Sequence, residues 1–458
     1  MKELFIVIVI LLSPFVVSSQ DKDSAIIADI YNEALLSGFS MNTLQYLCTE
    51  IGPRMTGTEQ ADKAVEYTYE VMQKLNVDSV YKQEVKVPNW NIYKRASATL
   101  YQDGKEQNLN VDAVGGSVGT SGKELKAQVV EIRSRKEIKR LGRENLEGKI
   151  VFLNQKMDAT LLNPFQAYGE AAWQRVHGAS EAAEYGAVAV LIRSLSLTAD
   201  DYPHTGIMRY KEGVEKIPSL ALSTNDANLL SRILRACPDC EIGLSLDAKW
   251  EEDTISYNVV GEIRGSKYPE EIITVGGHLD SWFNDPGAHY DGAGCVQSIE
   301  VLRIFKKLGI QPKRTIRVVM FMDEEIWQTG GKEYAKQAKE SNKKYIAAIE
   351  SDAGGTTPVG FSCTDSVAVV YMQKWNEIFS KYGIRYIRKG WGGVDIGPLR
   401  EHGVPLIGLN VDPHRYFEYH HCTNDTFDKV HQRELQLGAA AMTALVYLID
   451  QYGMQASQ

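Results

Sequence analysis

Three apolar runs, each ending in acidic or histidine residues, constrain this chain more than any other feature. Residues 272–275, 315–322 and 345–349 are short and continuous, the pattern of buried strands. The first runs into His278-Leu279-Asp280, the second into Asp323-Glu324-Glu325, and the third into Glu350-Ser351-Asp352. Between the first two lies Tyr290-Asp291-Gly292-Ala293-Gly294. A parallel sheet covered by helices delivers the residues after its strands to one edge, where open α/β sheets bind ligands. One imidazole and several carboxylates then meet in a single crevice. That mixture of nitrogen and oxygen donors suits Zn²⁺ and related divalent ions.

The rest of the chain supplies the matching architecture. Its 458 residues exceed what one core serves, so two structural units are expected. Helical stripes occupy 24–36, 41–51 and 60–75, and strands are expected at 80–87 and 96–100. A different texture fills 112–250, with strands at 148–153, 187–192 and 217–222 and helices at 179–185 and 225–235. This segment reads as a small α/β domain inserted between an N-terminal part, 20–111, and a catalytic part, 251–458. Its expected role is that of a lid or substrate-positioning module. After 255, helices at 295–308, 332–339, 367–382 and 433–452 alternate with strands such as 404–409. The fold class is α/β, a three-layer α/β/α sandwich on a mostly parallel mixed sheet.

Residues 1–19 stand apart. Lys2 precedes a mostly apolar run over 4–17, and small residues at 17–19 resemble a signal-peptidase site. The run is shorter than the about 20 apolar residues a membrane span needs. The expectation is a cleaved leader and an exported protein, secreted or periplasmic, with no membrane association beyond export. Net charge is −9 with no long basic run, which argues against a nucleic-acid partner. Of six cysteines, Cys237 and Cys240 have the spacing of a short local disulfide.

Taken singly, each candidate has an ordinary alternative. Asp291 could be a helix N-cap, Glu324-Glu325 an exposed acidic turn, Asp352 a turn residue, and His420-His421 a structural pair. His278 is strengthened by Asp280 two positions on, since a carboxylate there can hold the second ring nitrogen and fix the tautomer. The conjunction decides. Two metal ions about 3.5–4 Å apart can generate hydroxide and polarise a carbonyl. Such a site needs one bridging carboxylate and two further ligands per ion, a count met by His278, Asp291, Glu325, Asp352 and His421. Glu324 is left free to take the proton of the attacking water and return it to the leaving amine.

The order His-x-Asp, Asp, Glu-Glu, Asp, His resembles the dizinc exopeptidase family that includes aminopeptidase Y, bacterial leucyl aminopeptidase and glutamate carboxypeptidase II. The resemblance is strongest to its carboxypeptidase Q branch and spans nearly the whole mature chain. It rests on residues 54–58, 85–90, 276–282, 350–354, 393–395 and 420–421. The resemblance implies two Zn²⁺ per chain: His278 and Asp352 on one, Glu325 and His421 on the other, with Asp291 bridging. It also implies Asp280 orienting His278, Glu324 as general base, and His420 contacting the tetrahedral intermediate. His421 is chosen over His420 because the family's ligand precedes a short segment ending Asp-Thr, as Asp425-Thr426 does here. Residues 112–250 resemble a protease-associated domain, and the family suggests a homodimer. The expected activity is metal-dependent hydrolysis of dipeptides or short peptides. A broad aminopeptidase acting on longer peptides is the alternative. A non-catalytic binding module and a one-zinc glutaminyl-cyclase-like acyltransferase are the rivals from other classes.

Overall fold

The computed structural model describes residues 19–455. The expected leader falls almost entirely outside them. Among the described residues, fourteen strands follow one another. They are β1 (Ser79–Gln102), β2 (Lys105–Leu109), β3 (Val111–Ala113), β4 (Leu125–Ile132), β5 (Ile150–Leu153), β6 (Ala189–Arg193) and β7 (Ser219–Leu222). Then come β8 (Glu241–Ile263), β9 (Tyr268–His278), β10 (Arg314–Phe321), β11 (Lys344–Glu350), β12 (Pro358–Cys363), β13 (Tyr386–Lys389) and β14 (Leu406–Val411).

Hydrogen bonding joins them in the order β13-β12-β14-β11-β9-β10-β8-β4-β5-β6-β7-β3, with β1 alongside β8 and β2 alongside β1. In the half that carries the acidic motifs, β10, β9, β11 and β14 run parallel. β12 and β8 are antiparallel to their neighbours β14 and β10, so the sheet is mixed and mostly parallel.

Side-chain alternation shows what covers each face. Ile316, Val318 and Met320 of β10 point into a core shared with the helices Ala293–Lys307 and Gln432–Tyr452. Val319 and Phe321 point the other way, onto Tyr334, Ala335 and Ala338 of the helix Thr329–Glu340. This period of two, with helices on both sides, is the α/β/α sandwich. The strands β4 to β7 build a further α/β layer with an apolar cluster of its own, including Val151, Leu153, Ala179 and Ile192.

Several boundaries differ from the sequence reading. The strands expected at 80–87 and 96–100 are one strand, β1. Pro88, which breaks a local strand signal, sits at a register shift in the β1–β8 pairing between Val87 and Asn89, so the ladder continues past it. The long helix expected at 367–382 is divided into Ser366–Met372 and Asn376–Ser380 by a tighter turn that buries Trp375. β2, β3, β4, β8, β12 and β13 were not anticipated. Cys237 and Cys240 form a disulfide, and Cys48, Cys295, Cys363 and Cys422 are free and buried. Among the described residues, no helix is long and apolar enough to cross a membrane.

Candidate metal centre

The carboxyl ends of β9, β10 and β11 lie side by side, because Phe321 pairs with His278 and Glu350 with Gly276. His278, the last residue of β9, is buried, and its Nδ1 donates to the backbone carbonyl of Asp280 at 2.9 Å. That bond leaves Nε2 facing Asp352, 3.5 Å from Oδ1. Burial alone would lower the His278 pKa. The carboxylates of Asp352, Glu324 and Asp291 outweigh it and hold the imidazole well above its usual range.

The expected carboxylate–imidazole bond from Asp280 is replaced by this carbonyl contact. The Asp280 carboxylate instead accepts the backbone N–H groups of Glu324 at 3.1 Å and Glu325 at 3.3 Å. Its nearest approach to the His278 ring is 3.8 Å. Asp280 thus holds the β9 and β10 termini together with both its carbonyl and its carboxylate.

Asp291 precedes the helix Ala293–Lys307 and is fully buried. Its carboxylate accepts the N–H of His278 at 3.1 Å and of Gly294 at 3.0 Å. A side chain at position 294 would collide with the Ser351 carbonyl and with Asp291, so glycine lets helix, carboxylate and β11 terminus meet. Burial pushes Asp291 and Glu324 well above the carboxylate range, and Glu325 up to about 7. His421 Nε2 lies 3.1 Å from Glu325 Oε2. His420 stacks on His421 with ring centroids 3.5 Å apart, in a cage that includes Tyr168, Tyr290 and Tyr416. Burial, then nearby cationic groups, hold both imidazoles well below their usual range, so they are neutral, the form that ligates metal.

The structure therefore brings together His278, Asp280, Asp291, Glu324, Glu325, Asp352, His420 and His421. Donor atoms of His278, Glu324 and Glu325 lie within 4.8 Å of one another, as do those of His278, Asp291 and Asp352. Among the described residues, no Lys or Arg forms an ion pair with these carboxylates; apart from backbone N–H groups, the ionisable partners within 4 Å are the imidazoles of His278 and His421. Buried carboxylates without cations are expensive, and a divalent ion neutralises them. The donor set fits zinc.

Other residues matter that the motifs did not flag individually. Arg54 is buried and donates to the carbonyls of Leu279 at 2.6 Å and Gly287 at 2.9 Å. Asp425 accepts the N–H groups of His289 at 2.8 Å and Tyr290 at 3.0 Å, fixing the loop before Asp291. Glu350 accepts from Val394 and Ile396, and burial raises it to about 8. The region 194–206 grips the backbone beside His421. Ser196 Oγ donates to the Phe417 carbonyl at 2.7 Å, His204 Nδ1 to that of His420 at 2.7 Å, and Thr205 N–H to that of His421 at 2.9 Å. Asp352 also borders a cavity of about 720 Å³ whose wall includes Glu350, Arg388, Trp391 and Tyr416.

Strand ends that gather imidazole and carboxylate donors around a free glutamate define a metal-dependent hydrolase. The model for Peptidase family M28 matches residues 258–446. Carboxypeptidase Q of Bos taurus is 34% identical over 411 residues, covering 90% of this chain and 85% of that protein. A Peptidase M28 precursor from Shewanella amazonensis superposes with a TM-score of 0.91 at 33% identity, over 96% of this chain and 99% of that one. BSAP, a zinc aminopeptidase from Bacillus subtilis, shares the fold, with a TM-score of 0.64 at 21% identity over 90% and 94% of the two chains. The chain belongs to peptidase family M28, and it is a zinc-dependent exopeptidase.

Proposed function

We propose that the protein is an exported exopeptidase that holds two zinc ions and hydrolyses dipeptides or short peptides. The observation that carries this reading is the approach of the expected ligands in two sets: donor atoms of His278, Asp291 and Asp352 lie within 4.8 Å of one another, and His421 Nε2 lies 3.1 Å from Glu325 Oε2. His278 and Asp352 would hold one ion, Glu325 and His421 the other, and Asp291 would bridge. Bound zinc supplies a Lewis acid that polarises the peptide carbonyl and eases ionisation of water.

The remaining work belongs to side chains. Glu324 is half-buried, with a carboxylate oxygen within 4.8 Å of a His278 ring nitrogen, and is assigned no ligand role, so it accepts the proton of the attacking water. The same carboxyl then delivers that proton to the departing amine. Asp280 positions Glu324 and Glu325 through their backbone N–H groups. His420, buried against His421, is assigned to the oxyanion of the tetrahedral intermediate. Residues 112–250 are assigned to an inserted protease-associated-like domain, residues 1–19 to a cleaved leader, and the working form to a homodimer.

An aminopeptidase acting on longer peptides would use the same residues. One dipeptide offered free, N-acetylated and C-amidated, with zinc and after chelation, tests both readings. Zinc-dependent cleavage of the free form alone supports a dipeptidase. Equal cleavage of the amidated form means only the amine is read, and no zinc-dependent cleavage of any form rejects the assignment.

A further inference from the structure

The cavity beside Asp352 has a chemical polarity that the metal centre does not explain. Its wall carries a single Arg or Lys, Arg388, exposed on β13. Arg388 stacks on the Tyr386 ring at 4.2 Å and makes no ion pair with a described carboxylate. Around it stand large apolar groups in unusual exposure: Leu162 at 91%, Trp391 at 62% and Phe165 at 42%. Apolar groups clustered beside a free cation mark a binding surface.

Sheet register sets the scale. Glu350 pairs with Gly408, Gly408 with Ser362, and Ser362 with Arg388, so the four form one row across β11, β14, β12 and β13. Residues paired in such a row share a face of the sheet. Three strand spacings of about 4.8 Å put Arg388 roughly 14 Å from Glu350. A two-residue peptide spans about 7 Å, and the long arginine side chain covers the remainder. The row sets distance only, because Glu350 is held by the Val394 and Ile396 N–H groups; Asp352, two residues past it, and Arg388 both line the cavity, an acid and a cation at a separation that suits the two termini of a free dipeptide.

Resting on the peptidase reading above, we infer that this cavity holds the C-terminal residue of the substrate, with Arg388 on its free carboxylate and Leu162 and Trp391 against a bulky apolar side chain. A guanidinium meets a carboxylate with paired hydrogen bonds, which an amide in the same place cannot reproduce. Leu162 precedes the helix Pro164–Ala171, so the region 112–250 supplies one wall of the subsite.

The test compares L-leucine with L-leucinamide, and L-leucine with glycine, binding to the zinc-loaded protein by calorimetry. Hydrolysis of free and C-amidated Leu-Leu runs in parallel. Wild type should prefer leucine to leucinamide. Arg388→Met should cut that preference at least about tenfold without weakening leucinamide, and Arg388→Lys should retain part of it. Trp391→Ala should weaken leucine about tenfold and leave glycine unchanged. In turnover, Arg388→Met should raise KM for free Leu-Leu and leave the amidated form as in wild type. Equal binding of leucine and leucinamide by wild type, or a preference unaffected by Arg388→Met, overturns the inference. Selective leucine binding that depends on Arg388, in a protein that cleaves no peptide, would support the subsite while rejecting the hydrolytic reading.

Discussion

His421 Nε2 stands 3.1 Å from Glu325 Oε2, with the His421 backbone in the left-handed region at φ +60°. Non-glycine residues take that conformation rarely and at a cost of roughly 1–3 kcal/mol, maintained when the surroundings over-determine it. Here three hydrogen bonds from the 194–206 region hold the adjacent backbone. A neutral imidazole so close to a carboxylate is the geometry of two donors awaiting one cation.

His421→Ala should therefore weaken one zinc site by more than the roughly 10–100-fold typical of losing an outer-shell partner. His420→Ala should change zinc content less, because its ring stacks on His421, and it is the His421 Nε2 that lies beside Glu325. Metal analysis after dialysis against graded chelator reads both. A larger loss in His420→Ala would reverse the assignment of the two histidines.

Glu324→Gln keeps size and backbone contacts but removes the proton acceptor. Zinc content should match wild type while kcat falls about 10²–10⁴-fold, the usual contribution of general acid–base catalysis. Near-wild-type turnover at full zinc content would remove Glu324 from the mechanism.

Asp291→Asn separates metal binding from folding. Burial makes the charged carboxylate costly, so the metal-free variant should be no less stable than metal-free wild type. Wild type at zinc 100 times Kd should gain about 2.7 kcal/mol per site, and the variant should lose most of that gain. Thermal scans with and without zinc decide. A full zinc-dependent rise in the variant would count against bridging.

The parts of this architecture that were legible from the residues share a local cause. β9, β10 and β11 announce themselves because each is a continuous apolar run, and the acids directly after them need only strand direction to share an edge. β1 was misread as two strands because Pro88 is a local break signal, whereas the pairing that overrides it comes from β8, far along the chain. The Asp280 carboxylate was expected on His278 and lies on the N–H groups of Glu324 and Glu325, because its partners depend on how two strand termini meet. Arg54 and Asp425 lie in segments the sequence reading used, but their roles escaped it for the same reason: each binds backbone groups of a distant loop, and spacing carries no trace of that.

The grip of the 194–206 region on the histidine loop yields a stability prediction with a functional arm. His204→Ala leaves the buried His420 carbonyl without its donor and should cost about 1–3 kcal/mol. Zinc affinity should fall as the His421 backbone loosens, and His204→Asn, which can still donate, should restore part of both. A variant that loses stability but keeps wild-type zinc affinity would confine His204 to folding.

Glu300 gives the clearest pH dependence away from the metal centre. Burial pushes its carboxyl up to about 7, although Arg303 opposes the shift with a 2.5 Å contact. An unfolded glutamate releases its proton near pH 4.3. Below that value both states are protonated and Glu300 contributes no slope. Between about pH 4.3 and 7 the folded chain keeps a proton that the unfolded chain has lost, so stability falls as pH rises through this window. Above about 7 the penalty is complete and constant. Glu300→Gln removes the titration while retaining an acceptor for Arg303. The variant should match wild type near pH 4.5 and exceed it increasingly up to pH 7.5, in denaturant midpoints measured across that range on metal-free protein. A difference of constant size at every pH would mean that Glu300 is ionised in the folded state throughout, with Arg303 outweighing burial.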